Sequence, residues 1–261
     1  MKIFTMCMEC QKELGHPSFE PIIADYYEEA LAFIECTKGH KSAILLQSQK
    51  FEVLLESAAN ALIEGYTLEA ASSLSSAYER FFEFAINVFC KKHDISKETL
   101  EETYKQVSKQ SERQIGGFLF LHLLVFGNSY TLNKQIPERR NRVIHQGYIP
   151  TPDEVIKLGE LIYQEILSIS NLIKSNLASE MQQVISDTVQ ARNEKIPANM
   201  CRATSSGTMF FSLVREENKG NFQEALASYK EAREKLFGSV PYLRIFSKAV
   251  ALYTNLRSPK Q

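Results

Sequence analysis

Residues 67–92 read TLEAASSLSSAYERFFEFAINVFCKK, and this stretch decides the fold class. Its apolar side chains recur at the three- and four-residue spacing of one buried helical face, at Leu74, Tyr78, Phe81, Ala85 and Val88. Polar side chains such as Ser76 and Glu83 occupy the opposite face. The pattern predicts one long amphipathic helix, which must bury its apolar side against other helices.

Helical patterns continue on both sides of this segment. The neighbouring runs QKFEVLLESAANALIEG, ISKETLEETYKQV, QIGGFLFLHLLVF and DEVIKLGELIYQEILSISNLIKSN are each predicted as helices, as are residues 134–145. The apolar run 116–127 is too short to cross a bilayer, which takes about 20 residues, and is predicted to be a buried helix. Residues 48–192 are therefore predicted to form an antiparallel helical bundle, and the fold class is mainly α.

Composition and charge limit the function classes. The chain has 261 residues, 44% of them hydrophobic, and a formal net charge of -1, so bulk positive charge cannot hold a nucleic acid. After position 194, eleven Lys and Arg stand against five Glu, and residues 193–261 are interpreted as a basic helical extension. The first residues, MKIFTMCMEC, show no secretory signal, which favours a cytoplasmic protein without membrane spans.

Cysteines near the N-terminus have the spacing of a metal site. Cys7 and Cys10 form one pair and Cys36 and His40 a second, in the pattern C-x2-C-x25-C-x3-H. Two such pairs can surround one ion with three thiolates and an imidazole. Residues 1–47 are thus predicted to be a small zinc-ribbon-like module whose β-hairpin carries the second pair. A closed set of four ligands implies a structural Zn²⁺.

Two alternatives remain for these cysteines. They could be free or redox-active thiols, and His16 could replace one of the ligands. Cys90 and Cys201 have no partners of this kind in the sequence and are expected to be inert.

The run RRNRVIHQG, residues 139–147, combines arginines with a histidine at helical spacing. Asn141 and His145 are four residues apart and share a helix face, and Arg140 has the reach to join them. Thr151, Pro152 and Glu154 follow as a strong helix start, with a capping residue, a proline at the first helical position and a carboxylate that can bond back to the cap.

Histidine and arginine together suit work on a phosphodiester. Cleavage of RNA without a metal needs a base for the 2′-OH, an acid for the leaving 5′-oxygen and a positive charge at the phosphorane. Histidine can fill the first two roles and arginine the third. One motif supplies one histidine, so a symmetric homodimer would complete the site.

The stretch from Arg140 to His145 resembles the signature of the HEPN superfamily, R-x4-6-H, commonly with Asn, Asp or His directly after the arginine, on the penultimate helix of an antiparallel bundle. The resemblance covers about residues 48–180. It implies a metal-independent endoribonuclease that leaves 2′,3′-cyclic phosphate ends, with Arg140 and His145 catalytic and Asn141 orienting. It also implies a toxin or antiviral defence effector that attacks tRNA or other structured RNA, with an antitoxin or regulatory partner.

Four further residues are candidates for supporting roles, and each has a plainer alternative. The resemblance implies that Glu79 holds Arg140 through a paired hydrogen bond; the alternative is an exposed helix carboxylate. Arg139 and Arg142 would contact RNA phosphates, or would simply be solvated. Tyr148 would stack on a base, or would pack against the next helix. His122 lies in an apolar stripe and is expected to be a core residue.

Two functions stay open at this point. The first is the dimeric ribonuclease. The second is a non-catalytic HEPN-like module that binds protein or nucleic acid, in which Arg140 and His145 would belong to an ion-pair network at a helix end.

Overall fold

The structure is a computed structural model that describes residues 1–108, 110–205 and 208–257. These residues form five strands, β1 (Lys2–Thr5), β2 (Ile22–Asp25), β3 (Leu31–Glu35), β4 (Lys41–Leu46) and β5 (Cys201–Ser205). They also form nine helices, α1 (Met8–Leu14), α2 (Lys50–Ile63), α3 (Thr67–Lys92), α4 (Lys97–Val107), α5 (Ser111–Phe126), α6 (Gln135–Gln146), α7 (Pro152–Asn176), α8 (Ala178–Glu194) and α9 (Phe222–Arg257). The predicted mainly helical class is confirmed.

The described chain divides into two compact units. The helical unit comprises Ser48–Thr188 and Thr208–Tyr229, and the sheet unit comprises residues 1–47, 189–205 and 230–257. The segment predicted as a C-terminal extension, residues 193–261, is therefore shared between both units as far as it is described. Its last part forms the single helix α9, with Pro241 inside it.

Helix α3 is the centre of the helical unit. All five apolar residues that predicted it are buried, and α2, α5, α6 and α7 pack around it. Phe81, Phe82 and Phe118 make edge contacts with their aromatic neighbours and are fully buried. Their burial removes a large apolar area from water and supplies most of the driving force for this packing.

Helix α5 departs from its prediction. Phe118 and His122 are buried on one side, but Phe120, Leu123 and Leu124 are 78%, 47% and 64% exposed. The expectation of a wholly buried helix is wrong, because α5 contacts the rest of its unit on one face only. The uninterrupted apolar composition of this run conceals which face that is.

Helix α7 begins as predicted. The Thr151 hydroxyl accepts from the Glu154 backbone N–H at 3.4 Å, and the Glu154 carboxylate accepts from the Thr151 N–H at 2.9 Å. Helix α6 ends at Gln146 and is capped by Gly147, whose φ of 65° is left-handed and favours glycine. Helix α7 is not the last helix of the 48–192 segment, because α8 starts after a break at Leu177.

A buried loop closes the helical unit. Phe210 and Phe211 lie in its core although their segment has no helix or strand. Two carboxylates of α2 hold the loop backbone: Glu56 accepts from the N–H groups of Met209 and Phe210, and Glu52 accepts from that of Leu213 at 2.7 Å. Burial raises the pKa of Glu56.

The sheet unit contains two small sheets. Strands β1 and β2 pair antiparallel, β3 and β4 form an antiparallel hairpin, and β5 lies parallel to β4. The backbone of Cys201–Ser205 thus completes the second sheet. No helix within the described ranges is long and apolar enough to cross a membrane.

Candidate functional site

Helix α6 carries the arginine and histidine motif at the surface of the helical unit. Ile136 and Val143 are buried and fix one face of the helix against the core. Arg140 is half-buried, and Asn141 and His145 are exposed. The apolar positions of α6 therefore determine which way the polar motif faces.

Arg140, Asn141 and His145 line one open cleft of about 490 Å³. Glu79 of α3 also lines this cleft. The other lining residues are polar and lie at the end of α4 and the start of α5: Ser108, Gln110, Ser111, Glu112 and Gln114. The structure thus brings together the three residues singled out as catalytic and the carboxylate expected to hold the arginine. Among the described residues that line the cleft, His145 is the only histidine.

The side chains of Glu79 and Arg140 form an ion pair between Oε1 and Nη2. Arg140 Nη1 also donates to Asn141 Oδ1 at 3.5 Å. The expected contact is present, although through a single carboxylate oxygen. Arg140 Nε is buried and makes no hydrogen bond within the described structure, which leaves one guanidinium donor unsatisfied.

A second arginine, Arg80, lies close to the Glu79 carboxylate. Arg80 donates to Glu83 at 2.5 Å and to the buried amide oxygen of Gln114 at 3.4 Å, and its Nη2 lies 4.0 Å from Glu79. Gln114 in turn donates to the Ser108 carbonyl at 2.8 Å. This network joins α3 to the far wall of the cleft. Sequence reasoning missed it, because nothing in the local pattern distinguishes Arg80 or Gln114 from ordinary helix-surface residues.

The other two arginines of the run lie elsewhere. Arg139 and Arg142 line a separate small pocket of about 20 Å³ together with Tyr148. The Arg142 guanidinium lies 4.1 Å from the centre of the Tyr148 ring, and the Tyr148 hydroxyl donates to Glu154 at 2.9 Å. The structure does not bring these side chains into the cleft with His145. Tyr148 packs at the start of the next helix. The hydrogen bond from the Thr151 backbone, and then the one from the Tyr148 hydroxyl, lower the pKa of Glu154.

His122 is separate from the cleft. It is buried among aromatic rings of the core and its Nδ1 lies 3.2 Å from the Asn128 carbonyl oxygen, as expected of a core histidine.

The four predicted metal ligands lie together in the sheet unit. Cys7 caps the start of α1, Cys10 follows in the first turn, and Cys36 and His40 flank the hairpin turn between β3 and β4. The backbone N–H of Cys36 donates to the His40 carbonyl at 3.1 Å, which closes that turn. The ligand atoms of all four residues lie within 4.8 Å of one another.

The distances suit a tetrahedral ion. Metal–sulfur bonds of about 2.3 Å and metal–nitrogen bonds of about 2.0–2.1 Å give ligand separations of about 3.5–3.8 Å at tetrahedral angles. The observed separations are 3.7 Å from Cys10 to Cys36 sulfur, 3.4 Å from Cys10 sulfur to His40 Nδ1 and 3.9 Å from Cys7 sulfur to the same nitrogen. The four side chains could therefore bind one metal ion.

Burial isolates the three cysteine donors from solvent, while His40 is half-buried. Cys7, Cys10 and Cys36 are buried and form a cluster of their own, with Ile22 packed against it. Burial, and then hydrogen bonding with Cys36 and Cys7, raises the pKa of Cys10 to about 12. Burial also acts to raise the pKa of Cys36, but hydrogen bonds from the backbone of His40 and Lys38 and from the side chains of Cys10 and Cys7 together outweigh it and lower this pKa.

The remaining candidate ligands lie outside the cluster. His16 is exposed and its Nδ1 lies 2.8 Å from the Pro17 carbonyl oxygen. Cys90 is buried in the core of the helical unit, where burial raises its pKa. Cys201 lies 3.7 Å from Lys12 Nζ, and burial raises its pKa too.

Comparison of the chain with models of protein families, with curated proteins and with solved structures finds no match.

Proposed function

We propose that this protein is a metal-independent endoribonuclease of the HEPN type that acts as a homodimer and contains a structural zinc ion. The observation that carries the proposal is that Arg140, Asn141 and His145 line one open polar cleft. The cleft volume of about 490 Å³ is large enough for a phosphodiester and its flanking ribose, and His145, whose side chain is exposed, lines it.

The chemistry assigns one role to each residue. His145 takes the proton from the 2′-OH or gives one to the leaving 5′-oxygen, which are the steps that general acid–base catalysis accelerates by about 10²–10⁴-fold. Arg140 stabilises the charge that develops on the phosphorane. Asn141 orients Arg140, because its side-chain oxygen accepts a hydrogen bond from the guanidinium. The products are a 2′,3′-cyclic phosphate and a free 5′-hydroxyl.

A second copy of the chain supplies the second histidine. The exposed apolar side of α5 supports such a dimer, since Phe120, Leu123 and Leu124 form a contiguous apolar strip on a helix whose first turn borders the cleft. Exposed apolar patches of this kind mark interaction sites in water-soluble proteins. A two-fold pairing in which the two α5 helices lie side by side and parallel would place the two clefts at the same end of the dimer.

Loss of single groups tests the mechanism. Purified wild type, Arg140→Ala, His145→Ala and the matched control Gln146→Ala would be incubated with tRNA and total RNA, with EDTA present and zinc content checked afterwards. We expect cleavage and cyclic phosphate ends for wild type and the control, and a loss of about 10²–10⁴-fold for the two motif variants. Cleavage that survives both alanine changes, or that needs added metal, contradicts the proposal.

A cellular role as a toxin or antiviral effector extends the same proposal. Expression of wild type should arrest growth, while His145→Ala should not. The target, tRNA or another structured RNA, would be identified from the RNA ends that appear only with wild type. An antitoxin or regulatory partner would relieve the arrest.

A non-catalytic binding module is the second candidate. The observation that favours it is the ion pair between Glu79 and Arg140. Arginines in purely structural networks are paired with carboxylates in the same way, and the pairing reduces the positive charge left for a phosphate. Wild-type protein that is folded and dimeric, yet inactive on all RNA, would favour this candidate.

Zinc is the proposed ion at the four-residue cluster. Three thiolates and an imidazole form a closed tetrahedral set that zinc favours, and no ligand position remains for a reacting water. The ion would link α1 to the β3–β4 hairpin and stabilise the fold. We expect about one zinc per chain by elemental analysis. A Cys36→Ser variant should lose the ion and Cys201→Ser should keep it, and fully folded wild type free of metal would contradict the assignment.

A further inference from the structure

His40 faces two different groups with its two ring nitrogens. Nδ1 lies 3.4 Å from the sulfur of Cys10 and 3.9 Å from that of Cys7. Nε2 lies on the other side of the ring, 3.1 Å from Oε1 of Glu13. A neutral imidazole carries a proton on one nitrogen and a lone pair on the other, so the partner of one nitrogen determines what the other can do.

Glu13 is itself held in place. Its second oxygen, Oε2, accepts from Lys38 Nζ at 3.1 Å. Glu13 lies on α1, three residues after Cys10, and Lys38 lies in the turn between Cys36 and His40. One carboxylate thus links the helix that carries the first ligand pair to the turn that carries the second.

We propose that Glu13 is a positioning residue of the metal centre. It accepts a hydrogen bond from Nε2–H of His40, which keeps the proton on that nitrogen and directs the Nδ1 lone pair toward the ion. The inference rests on the proposed metal centre and adds to it the ligating atom and the residue that orients it. Mutation of a carboxylate that accepts a hydrogen bond from a metal-bound histidine commonly lowers metal affinity by about 10–100-fold.

The site gives this carboxylate a defined but moderate effect. The side chain of Glu13 is 49% exposed, so water can replace part of its hydrogen bond after removal. The loss of affinity should therefore fall toward the lower end of that range. A glutamine keeps an oxygen that can accept from Nε2–H and should restore part of the effect, whereas an alanine cannot.

The test measures Zn²⁺ affinity of the full-length chain by competition with a chromophoric chelator. The variants are Glu13→Ala, Glu13→Gln and the control Glu9→Ala, which removes the other acidic residue of α1, an ion-pair partner of Lys12 at 3.0 Å. We expect affinity to fall about tenfold or more for Glu13→Ala, less for Glu13→Gln, and not for Glu9→Ala.

Nitrogen-15 NMR of the histidine rings in the Zn²⁺-loaded protein supplies a readout that fold stability alone would not move. Wild type should show metal-bound Nδ1 and a hydrogen-bonded Nε2–H for His40. This Nε2–H signal should shift in Glu13→Ala and recover in part in Glu13→Gln. The glutamine variant keeps the shape of the side chain, so it still tests the proposal if the alanine variant does not fold.

Different failures have different meanings. Equal affinities for a folded Glu13→Ala variant, the Glu9→Ala control and wild type, or zinc bound through Nε2, overturn the role of Glu13 while the metal centre stands. Wild type that binds no Zn²⁺ overturns the metal centre, and the role of Glu13 with it.

Discussion

Glu79 of α3 and Arg140 of α6 form an ion pair between residues that are 61 positions apart in the chain. Both side chains are 20% exposed, so water screens the pair only in part. The contact fixes the guanidinium at the wall of the cleft that also contains Asn141 and His145. Its removal would leave a charged and partly buried group without its main partner.

Glu79→Ala is therefore expected to reduce both stability and activity. Loss of a hydrogen bond to a charged group costs about 1.5–3 kcal/mol of unfolding free energy. A displaced guanidinium should lower the rate of RNA cleavage by about 10–100-fold. Urea denaturation and single-turnover cleavage measure the two effects.

Glu69→Ala is the matched control, because Glu69 is an exposed acidic residue on the same helix. It should leave both quantities near the wild-type values. Glu79→Ala with wild-type cleavage would show that Arg140 needs no fixed position, and would weaken the catalytic assignment.

The apolar strip on α5 should control assembly. A Phe120→Asp, Leu124→Asp double variant places two charges on side chains that are 78% and 64% exposed, so the fold should tolerate them. We expect sedimentation to show a monomer and RNA cleavage to fall with dissociation, because each cleft has one histidine.

Val214→Asp controls for added charge at an exposed apolar residue of the same unit that is not part of α5. It should remain dimeric and active. A double variant that dissociates but keeps full activity would mean that one chain forms a complete site.

Gly159 of α7 should resist substitution because a methyl group has no room there. A Cβ at this position would lie 2.6–2.8 Å from three ring atoms of Phe222. That ring is fully buried and packs against Phe210 at a centroid distance of 5.5 Å, so it cannot move freely. We expect Gly159→Ala to lower the unfolding free energy by about 1–3 kcal/mol in urea denaturation.

Gly238 of α9 provides the contrast. It is also inside a helix, but a Cβ there would meet no atom within 4 Å. Gly238→Ala should be neutral or stabilising by up to about 1 kcal/mol, because alanine favours the helix. Equal effects at the two positions would rule out the steric explanation.

Local patterns predicted the parts of this protein that local physics determines. The apolar spacing around Phe81 predicted α3, the Thr151 capping box predicted the start of α7, and ligand spacing predicted that Cys7, Cys10, Cys36 and His40 lie together. Each depends on residues that are close in sequence or on a strict ligand chemistry.

Features that depend on distant partners were not predictable in this way. The polar segment CRATS has no strand pattern of its own. It forms strand β5 because its backbone hydrogen-bonds to the edge of β4, which lies far away in the chain. The run 116–127 is apolar on all sides, so its sequence cannot tell the covered face from the exposed one. Arg80 and Gln114 meet through tertiary packing alone.

Glu165 of α7 should make stability depend on pH. Its carboxylate oxygens are buried and make no hydrogen bond of normal geometry within the described structure. Burial raises its pKa from 4.5 to about 7, although the nearby hydroxyl of Tyr78, the backbone of Asn133 and the hydroxyl of Tyr130 act to lower it. The folded state thus retains a proton that the unfolded chain loses at lower pH.

The sign of the effect follows from this difference. Between pH 4.5 and about 7 the folded state binds more protons, so the unfolding free energy falls as pH rises, by at most about 1.4 kcal/mol per pH unit. The contribution is fully present below pH 4.5 and is lost as pH rises through about 7. Glu165→Gln has a neutral side chain of the same shape and should remove this dependence.

Urea denaturation of wild type and Glu165→Gln at several pH values across this range tests the assignment. We expect the variant to gain stability relative to wild type as pH rises, by about 1–3 kcal/mol over the whole range. Subtracting the unfolding free energies of the two proteins at each pH removes the contribution of all other titrating groups, which both proteins share. A difference that stays constant with pH would mean that Glu165 ionises in the folded protein as readily as in the unfolded chain, and that its burial is relieved by water.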